Sequence, residues 1–402
     1  MAGGSEQIFF VEMKEIKKLV RKEVFNFQSY IPGKPIAELL REIKNKKVNI
    51  RNIVKLASNE NPLGPSKKVL TSLKKNLKNI YFYPQSSCPE LRKKLAQKLK
   101  VKPKNLIFGN GSDEIIELIG KTFLNPEDEI IVSEHAFIRY KMAGDLMGCK
   151  VVTIPMKDFT PLEISRRDTP FLTGFTHDLE GMAKAVTPKT KAIFIANPNN
   201  PTGTYNTASE LADFFERLEI SGQEPLVMVD EAYYEYARVE RDYPETIPYL
   251  EKYPNLVILR TFSKIYGLAG LRIGYGIARK EIIDFLERIR PPFNVNSLAQ
   301  EAALASLNDG TQLRKSVQLV KEGKKYLYQE LKKAGLSYVP SAANFILVKV
   351  NGSGQKVFNE LLSYGVIIRP MEEYGFPEHI RVTIGLPEEN RRFIQALRNY
   401  LQ

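Results

Sequence analysis

The feature that most constrains the fold of this chain is an alternation of short apolar runs and longer amphipathic stretches, which begins near residue 105. The apolar runs are continuous, as expected for strands that are buried on both faces of a sheet. The predicted strands are Leu106–Gly109, Glu129–Ser133, Lys150–Pro155, Ala192–Ala196, Pro225–Val229, Leu256–Arg260 and Leu271–Ile277. The predicted helices between them are Ser112–Phe123, Ile138–Gly148, Leu179–Val186 and Thr207–Ile220. The alternation therefore predicts an α/β fold with a mostly parallel sheet covered by helices.

The pattern changes after Pro291-Pro292. A long helical region is predicted there, followed by short strands and a closing helix: Ser297–Ala334, Asn344–Val350, Val366–Arg369, Ile380–Ile384 and Glu388–Tyr400. With 402 residues, the chain is long enough for two domains. We therefore expect a large domain at 51–290 and a smaller α+β domain formed by 1–50 and 291–402. The first of these segments has its own predicted helix at Ile36–Asn45.

The net charge of +13 is compatible with nucleic-acid binding. However, the lysines and arginines are spread along helices among glutamates, and no known nucleic-acid-binding signature accompanies them. We therefore expect no nucleic-acid partner. A basic nucleic-acid-binding protein is kept as the alternative from a different functional class.

No apolar run approaches the roughly 18 residues that would span a membrane, so we expect no membrane association. The two cysteines and three histidines do not have the spacing of a metal site, and no bound metal is expected. The N-terminus lacks the features of a secretory signal. A cytoplasmic location is therefore expected.

The segment Thr261–Arg272 carries the strongest functional pattern, because it follows an apolar strand and contains Lys264. A partly desolvated lysine near cations can be neutral enough to attack an aldehyde. Ser263 and Arg272 are suited to bind a phosphate, and Gly267 and Gly270 would let the backbone approach closely. The alternative is a surface lysine beside a turn.

Asp230 ends another apolar strand, in the sequence Leu226-Val-Met-Val-Asp230. A carboxylate at the end of a buried strand is costly unless a positive group pairs with it, and a protonated pyridine nitrogen is one such group. Tyr233 lies three residues further on and can donate to an oxygen of the same ring. The alternative is that Asp230 caps a helix.

Three further turns follow predicted strands. Asn197–Gly203 contains two prolines and a glycine, a rigid loop that would fix Asn200, unless it is a plain turn. Gly111 precedes Ser112 and Asp113 at a helix start, where backbone N–H groups can hold a phosphate or where the helix is simply well capped. Phe137, after the strand at 129–133, can provide a face for a planar ring or pack in the core.

Taken together and in this order, these segments resemble the class I/II aminotransferases of pyridoxal 5′-phosphate (PLP) fold type I. Within that family the closer resemblance is to the histidinol-phosphate aminotransferases. The resemblance runs from about residue 29 to the C-terminus and rests on GNGSDE, NPNNPTG, DEAYYEY and TFSKIYGLAGLRIGYG, with SYIPGKP, KLASNENPLGP, ANFIL, GVIIRP and RVTIG in support.

The resemblance implies PLP as the cofactor, with Lys264 as the Schiff-base lysine and proton shuttle. It implies that Asp230 pairs with the pyridinium nitrogen and that Tyr233 and Asn200 hold the phenolate oxygen. The phosphate would be held by Gly111, Ser112, Ser263 and Arg272, and Asp113 would also bind the cofactor. Tyr83 of a neighbouring subunit would also touch the phosphate, which implies a homodimer with shared sites. Phe137 stands where the family commonly has a tyrosine.

A transaminase must accept two substrates in turn, and Arg381 is expected to bind the α-carboxylate of glutamate. Histidinol phosphate carries a phosphate ester instead, which Arg381 can also bind. Arg369 and Tyr30 would recognise the additional charge, and Asn200 is expected to touch substrate as well. The alternative role of Arg369 is a surface salt bridge.

The expected reaction is transamination of L-histidinol phosphate with 2-oxoglutarate, which gives imidazole acetol phosphate and L-glutamate. An aromatic amino-acid aminotransferase or a PLP-dependent decarboxylase of a phosphorylated amino acid remains the alternative within the family. The same lysine, aspartate and arginine would serve either reaction.

Overall fold

A computed structural model of the chain describes residues 16–27, 53–157, 160–161 and 172–402. Its largest sheet has seven strands: β2 (Leu106–Gly109), β3 (Glu129–Ser133), β4 (Lys150–Ile154), β7 (Thr190–Ala196), β8 (Leu226–Asp230), β9 (Leu256–Thr261) and β10 (Gly274–Ala278). They follow in space in the order β2-β10-β9-β8-β7-β3-β4. Strand β10 runs antiparallel to both its neighbours, and the other pairs are parallel. The predicted mostly parallel α/β sheet is therefore confirmed.

Helices cover this sheet, and some of them begin and end at residue types that commonly cap helices. They are α1 (Lys67–Asn76), α2 (Pro89–Leu99), α3 (Ser112–Phe123), α4 (Ile138–Met147), α5 (Leu179–Lys184), α6 (Ala208–Ser221), α7 (Tyr234–Ala237), α8 (Tyr249–Lys252) and α9 (Lys280–Ile289). Helix α6 begins after Thr207, whose hydroxyl accepts from the N–H of Glu210 while the Glu210 carboxylate accepts from the N–H of Thr207. It ends at Gly222, which has a positive φ of 67°.

A second, antiparallel sheet has four strands: β11 (Tyr338–Val339), β12 (Phe345–Lys349), β14 (Arg369–Met371) and β15 (Phe376–Thr383). Their order in space is β11-β12-β15-β14. The helices α10 (Ser297–Leu307), α11 (Gly310–Lys333), α12 (Gly354–Ser363) and α13 (Pro387–Leu401) belong to this half of the sequence. Two small pairs complete the strands, β1 (Val54–Lys55) with β13 (Val366–Ile367) and β5 (Thr160–Pro161) with β6 (Leu172–Thr173).

Several predicted boundaries were wrong. The helix predicted at Ser297–Ala334 is two helices, because Asp309 accepts from the N–H of Gln312 and begins a new one. The predicted strand Leu271–Ile277 starts only at Gly274, since Arg272 has a positive φ of 56° that interrupts extended backbone. The predicted strand Val366–Arg369 divides between two partners, β1 and β15.

The central strands are buried on both faces. Every residue of β8 and β9 is buried, and the side chains of Ile193, Met228 and Ile258 have no exposed surface. Burial of this kind stabilises the fold by about 1.5–3 kcal/mol for each large aliphatic side chain. Within the described part of the chain, no helix combines the length and the apolar character that crossing a bilayer requires.

Candidate active site

The predicted site residues converge on one cavity of about 280 Å³ at the carboxyl ends of β3, β7, β8 and β9. This is the edge of a parallel sheet where ligands generally bind. Arginines from the four-stranded sheet close the other side of the cavity. The predicted residues that line it are Ser112, Asp113, Phe137, Asn200, Asp230, Tyr233, Ser263, Lys264, Arg272, Arg369 and Arg381.

Lys264 enters the cavity from the turn that follows β9 and is half-buried. Its Nζ donates to the carbonyl oxygen of Ser58 at 3.3 Å and lies 5.6 Å from the centre of the Tyr233 ring. These contacts hold the amine inside the cavity, which the carboxylate of Asp230 also lines.

Asp230 is the last residue of β8 and is only 5% exposed. One carboxylate oxygen accepts from the hydroxyl of Tyr140 at 2.8 Å, and the other accepts from the N–H of Ala232 at 3.0 Å. Burial raises the pKa of Asp230 to about 6, although both hydrogen bonds act to lower it. A cation placed against this carboxylate would offset the cost of its burial.

Two further side chains of the cavity can donate hydrogen bonds to a ligand. The hydroxyl oxygen of Tyr233 accepts from Nδ2 of Asn59 at 2.9 Å, so the hydroxyl proton of Tyr233 can be donated into the cavity. The side-chain oxygen of Asn200 accepts from Arg381, which orients the amide nitrogen of Asn200 as a donor.

A concave group of donors lies where α3 begins. Ser112 is the first residue of that helix, and Gly111 before it has a positive φ of 81°. A side chain at Gly111 would collide with the guanidinium of Arg272. That guanidinium lies 3.5 Å from the Ser263 hydroxyl and 3.5 Å from the Asp113 carboxylate. A helix N-terminus, a hydroxyl and a guanidinium are together suited to bind an anion such as a phosphate.

Phe137 also lines the cavity, immediately before α4. Its ring makes an edge-to-face contact with Tyr140, with centroids 5.7 Å apart. This position allows it to cover a planar ligand while Tyr140 reaches Asp230 beneath.

Two arginines of the four-stranded sheet are buried against the cavity. Arg381, on β15, donates from Nη2 to the carbonyl oxygen of Ala57 at 2.8 Å. Arg369, on β14, forms an ion pair with Glu373. Arg369 is 6% exposed and Arg381 is 7% exposed. Glu373 is exposed, so the ion pair of Arg369 joins a buried guanidinium to a carboxylate at the surface.

One structural expectation for the lysine segment was wrong. Gly267 has a positive φ of 69°. It approaches Gly64 so closely that a Cβ atom at position 267 would lie 2.6 Å from the carbonyl oxygen of Gly64. Gly270 has open space around it, with no atom within 4 Å of the place that a methyl group would take, so close approach does not require glycine there.

Tyr83 does not reach the cavity of its own chain. Its side chain is 82% exposed and stacks on Phe293 with centroids 4.8 Å apart. Tyr30 and the predicted helix Ile36–Asn45 lie outside the described residues.

Sequence reasoning missed several contributors. Tyr140 and Asn59 orient Asp230 and Tyr233, while Ser58, Glu60 and Tyr374 line the cavity. Tyr140 lies one helical turn after Phe137, a spacing that marks it as a neighbour on the same helix face. No local pattern indicates Tyr374, which comes from the other sheet.

The donors fit PLP as a cofactor. The cradle at Gly111 and Arg272 suits its phosphate, Asp230 suits its ring nitrogen, and the amine of Lys264 suits its aldehyde. The absence of a side chain at Gly111 is what allows the Arg272 guanidinium to lie beside the start of α3.

Comparison with known proteins agrees with this geometry. The family model "Aminotransferase class I and II" matches residues 51–397. A histidinol-phosphate aminotransferase of Moorella thermoacetica is 44% identical over 95% of this chain and 92% of its own length. Histidinol-phosphate aminotransferase 2 of Carboxydothermus hydrogenoformans is 44% identical over 96% of this chain and 99% of its own length.

A solved structure has the same fold. The histidinol-phosphate aminotransferase of Sinorhizobium meliloti in complex with pyridoxal-5′-phosphate superimposes with a TM-score of 0.80 at 25% identity, and the match covers 95% of this chain and 97% of that one. The chain therefore belongs to the class I and II aminotransferase family.

Proposed function

We propose that this aminotransferase uses PLP to move the amino group of L-histidinol phosphate to 2-oxoglutarate, giving imidazole acetol phosphate and L-glutamate. This is an activity of histidine biosynthesis. The relatives that are 44% identical over nearly the whole chain carry the name of this activity. The observation that carries the proposal is that two buried arginines, Arg369 and Arg381, line the same cavity as Lys264 and Asp230.

When bound, PLP supplies an aldehyde and an electron-withdrawing ring that stabilises negative charge on the adjacent substrate carbon. Asp230 would keep the proton on the ring nitrogen, because a protonated ring nitrogen pairs with the buried carboxylate. Tyr233 and Asn200 would donate to the phenolate oxygen of PLP. Ser112, Ser263 and Arg272, which also line the cavity, would hold the phosphate.

The Nζ atom of Lys264 would take the proton from the substrate carbon that carries the amino group and deliver it to the carbon on the other side of the amino nitrogen. Arg381 forms a bidentate pair with the carboxylate of glutamate, or with the phosphate of histidinol phosphate. Arg369 supplies the second positive charge that a phosphate needs. The ion pair with Glu373 keeps Arg369 oriented towards the cavity between turnovers.

We also propose a homodimer in which Tyr83 of each chain contributes to the cofactor phosphate site of the other. The proposal is supported by the exposure of neighbouring apolar side chains, since contiguous apolar patches usually mark an interface. The exposed side chains of this patch are Ile80, Tyr81, Phe82, Tyr83 and Phe293. Tyr83 projects from it and does not contact its own cavity.

Two further parts of the proposal concern organisation and location. The proposed division is a large domain at 51–290 and a small domain formed by 1–50 and 291–402. It is supported for the boundary near 290, because the seven-stranded sheet is built from residues 106–278 and the four-stranded sheet from residues 338–383. Arg21 donates to the carbonyl oxygen of Leu146 on α4, so the described residues 16–27 contact the large domain. The biosynthetic activity supports a cytoplasmic location. Limited proteolysis tests the first proposal, and cell fractionation tests the second.

The direct test is an assay with Lys264→Ala and Lys264→Arg. Both variants should lose transamination of histidinol phosphate. The methyl group of alanine cannot accept a proton, and the guanidinium of arginine is already protonated. Lys150→Ala, which changes an exposed lysine, should keep wild-type turnover. Sustained transamination by Lys264→Ala would overturn the assignment of the lysine.

The same assay separates the alternatives. A higher kcat/KM for phenylalanine than for histidinol phosphate would favour an aromatic aminotransferase. Release of CO₂ from a phosphorylated amino acid, without consumption of 2-oxoglutarate, would favour a decarboxylase. A colourless protein whose binding to nucleic acid falls steeply with salt would contradict enzyme function altogether.

A further inference from the structure

His135 lies in the turn after β3, two residues before Phe137, and has no part in the chemistry described above. Its Nδ1 lies 2.7 Å from the backbone oxygen of Tyr374. Because a carbonyl oxygen only accepts, Nδ1 carries the proton and donates it. The two residues are 239 positions apart in the sequence. His135 follows a strand of the seven-stranded sheet, whereas Tyr374 lies between two strands of the four-stranded sheet.

Other contacts fix the position of His135. Its backbone oxygen accepts from Nδ2 of Asn199 at 3.2 Å, and Asn199 is the neighbour of Asn200 in the loop after β7. Its ring packs on Phe376 with centroids 4.1 Å apart. A side chain at Gly375 would lie 2.9 Å from its Cε1 atom, so the histidine ring occupies the space that this glycine leaves.

The turn that His135 contacts lies beside Arg369, the arginine that we assign to the phosphate of the substrate. Tyr374 closes the short 3-10 turn Glu372–Tyr374, and its side chain lines the cavity. Glu373, in the middle of that turn, forms the ion pair with Arg369. The hydrogen bond from His135 is therefore one residue away from the group that orients the guanidinium of Arg369.

We propose that His135 is a positioning residue for the phosphate of the substrate, which it serves by fastening the Glu372–Tyr374 turn to the loop that carries Phe137. This inference rests on the proposed function, because it assigns Arg369 to the substrate phosphate. The hydrogen bond from Nδ1 holds the loop that carries Phe137 against the turn whose Glu373 pairs with Arg369. The imidazole itself does not touch substrate.

Two variants separate the hydrogen bond from the packing of the ring. His135→Asn keeps a donor at the place of Nδ1 and removes the ring, whereas His135→Phe keeps the ring against Phe376 and removes the donor. Each holoenzyme is compared with the wild type in steady-state reactions of 2-oxoglutarate with histidinol phosphate or with histidinol, which lacks the phosphate. The glutamate half-reaction reports whether the site is folded.

His135→Phe should raise KM for histidinol phosphate roughly tenfold, the size of one hydrogen bond, and leave kcat within about twofold. Its KM for histidinol should stay at the wild-type value, because no phosphate has to be positioned. His135→Asn should restore most of the affinity for histidinol phosphate.

Three results would overturn the inference: an unchanged KM in His135→Phe, an equal loss for histidinol and histidinol phosphate, or a greater loss in His135→Asn than in His135→Phe. The last of these would assign the histidine to packing alone. A wild-type enzyme that does not transaminate histidinol phosphate would instead overturn the proposed function, and this inference with it. The two failures are therefore distinguishable.

Discussion

At the scale of single residues, Asp230 shows how this site prepares for a cation. The carboxylate is buried at the end of a strand and accepts two hydrogen bonds, yet its pKa is raised to about 6 because burial outweighs them. No described residue forms an ion pair with it. The protein therefore carries an electrostatic cost at this position that a bound pyridinium would remove.

This cost predicts the effect of Asp230→Asn on the cofactor-free protein. A raised pKa means that the folded protein binds this proton more tightly than the unfolded chain, so ionisation of Asp230 destabilises the fold. The destabilisation grows as the pH rises from the ordinary value of 3.8 to about 6 and is complete above that. The variant should therefore melt at a higher temperature than the wild type at pH 8, and this advantage should disappear near pH 4.

Thermal unfolding across this pH range measures the difference, with PLP as the control. Added PLP should raise the melting temperature of the wild type more than that of Asp230→Asn, because only the carboxylate pairs with the ring nitrogen. An Asp230→Asn protein that is less stable than the wild type at pH 8 would contradict this account of the carboxylate.

At the scale of elements, the start of α3 forms the cradle that we propose for the cofactor phosphate. The residue before the helix has a positive φ, and its lack of a side chain leaves the Arg272 guanidinium directly over the helix N-terminus. Gly274 on β10 makes a similarly close approach, because a side chain there would collide with the backbone N of Ser112. The helix, the strand and the arginine therefore approach one another as closely as only glycine at these two positions allows.

Gly111→Ala should therefore weaken PLP binding by at least about tenfold, which corresponds to about 1.4 kcal/mol. The new methyl group would displace Arg272 and would also sit on backbone that L-residues rarely adopt. The dissociation constant of PLP, measured by absorbance titration, tests this.

Gly270→Ala provides the matched control, because it adds the same methyl group in the neighbouring lysine segment where nothing lies within 4 Å. It should bind PLP like the wild type. Equal dissociation constants for the two variants would show that the close approach at Gly111 has no role in the cofactor site.

At the scale of the whole molecule, one chain carries a cavity that is nearly complete and an aromatic side chain, Tyr83, that points away from it. The apolar patch around Tyr83 consists largely of aromatic side chains, of which Tyr81 is 74% exposed. A two-fold dimer would bury this patch and bring each Tyr83 to the other cavity, since such an interface is formed by the same surface of both chains.

Mixing two inactive variants tests this arrangement. Lys264→Ala and Tyr83→Ala lie in the same shared site only when they come from different chains, so a mixed dimer has one intact site and one site with both changes. Half of randomly mixed dimers are mixed, and each has one of two sites intact, which predicts about a quarter of the wild-type activity. Each variant refolded alone is the control.

Activity in the mixture that equals only the average of the two separate variants would argue against shared sites. Analytical ultracentrifugation of the same samples establishes whether dimers formed. A monomer with full activity would contradict the dimer as well as the role of Tyr83.

The sequence by itself determined the order of the strands of the large sheet and most of the residues that line the cavity. Ser112–Phe123 was predicted with the bounds that the structure has, because apolar periodicity and a glycine before the first turn are local properties. Lys264, Asp230 and Asn200 follow strands in the sequence, and the ends of parallel strands meet at one edge of the sheet. Their convergence therefore needed no knowledge of distant contacts.

Only the tertiary structure decided which groups support those residues. The bond from Tyr140 to Asp230, the ion pair beside Arg369 and the bond from His135 to Tyr374 join segments whose local sequences do not specify one another. The break between α10 and α11 was missed as well, since a cap such as Asp309 is a weak pattern within a long helical stretch. Contacts of this kind depend on how the two sheets pack, because packing brings together residues that no local periodicity relates.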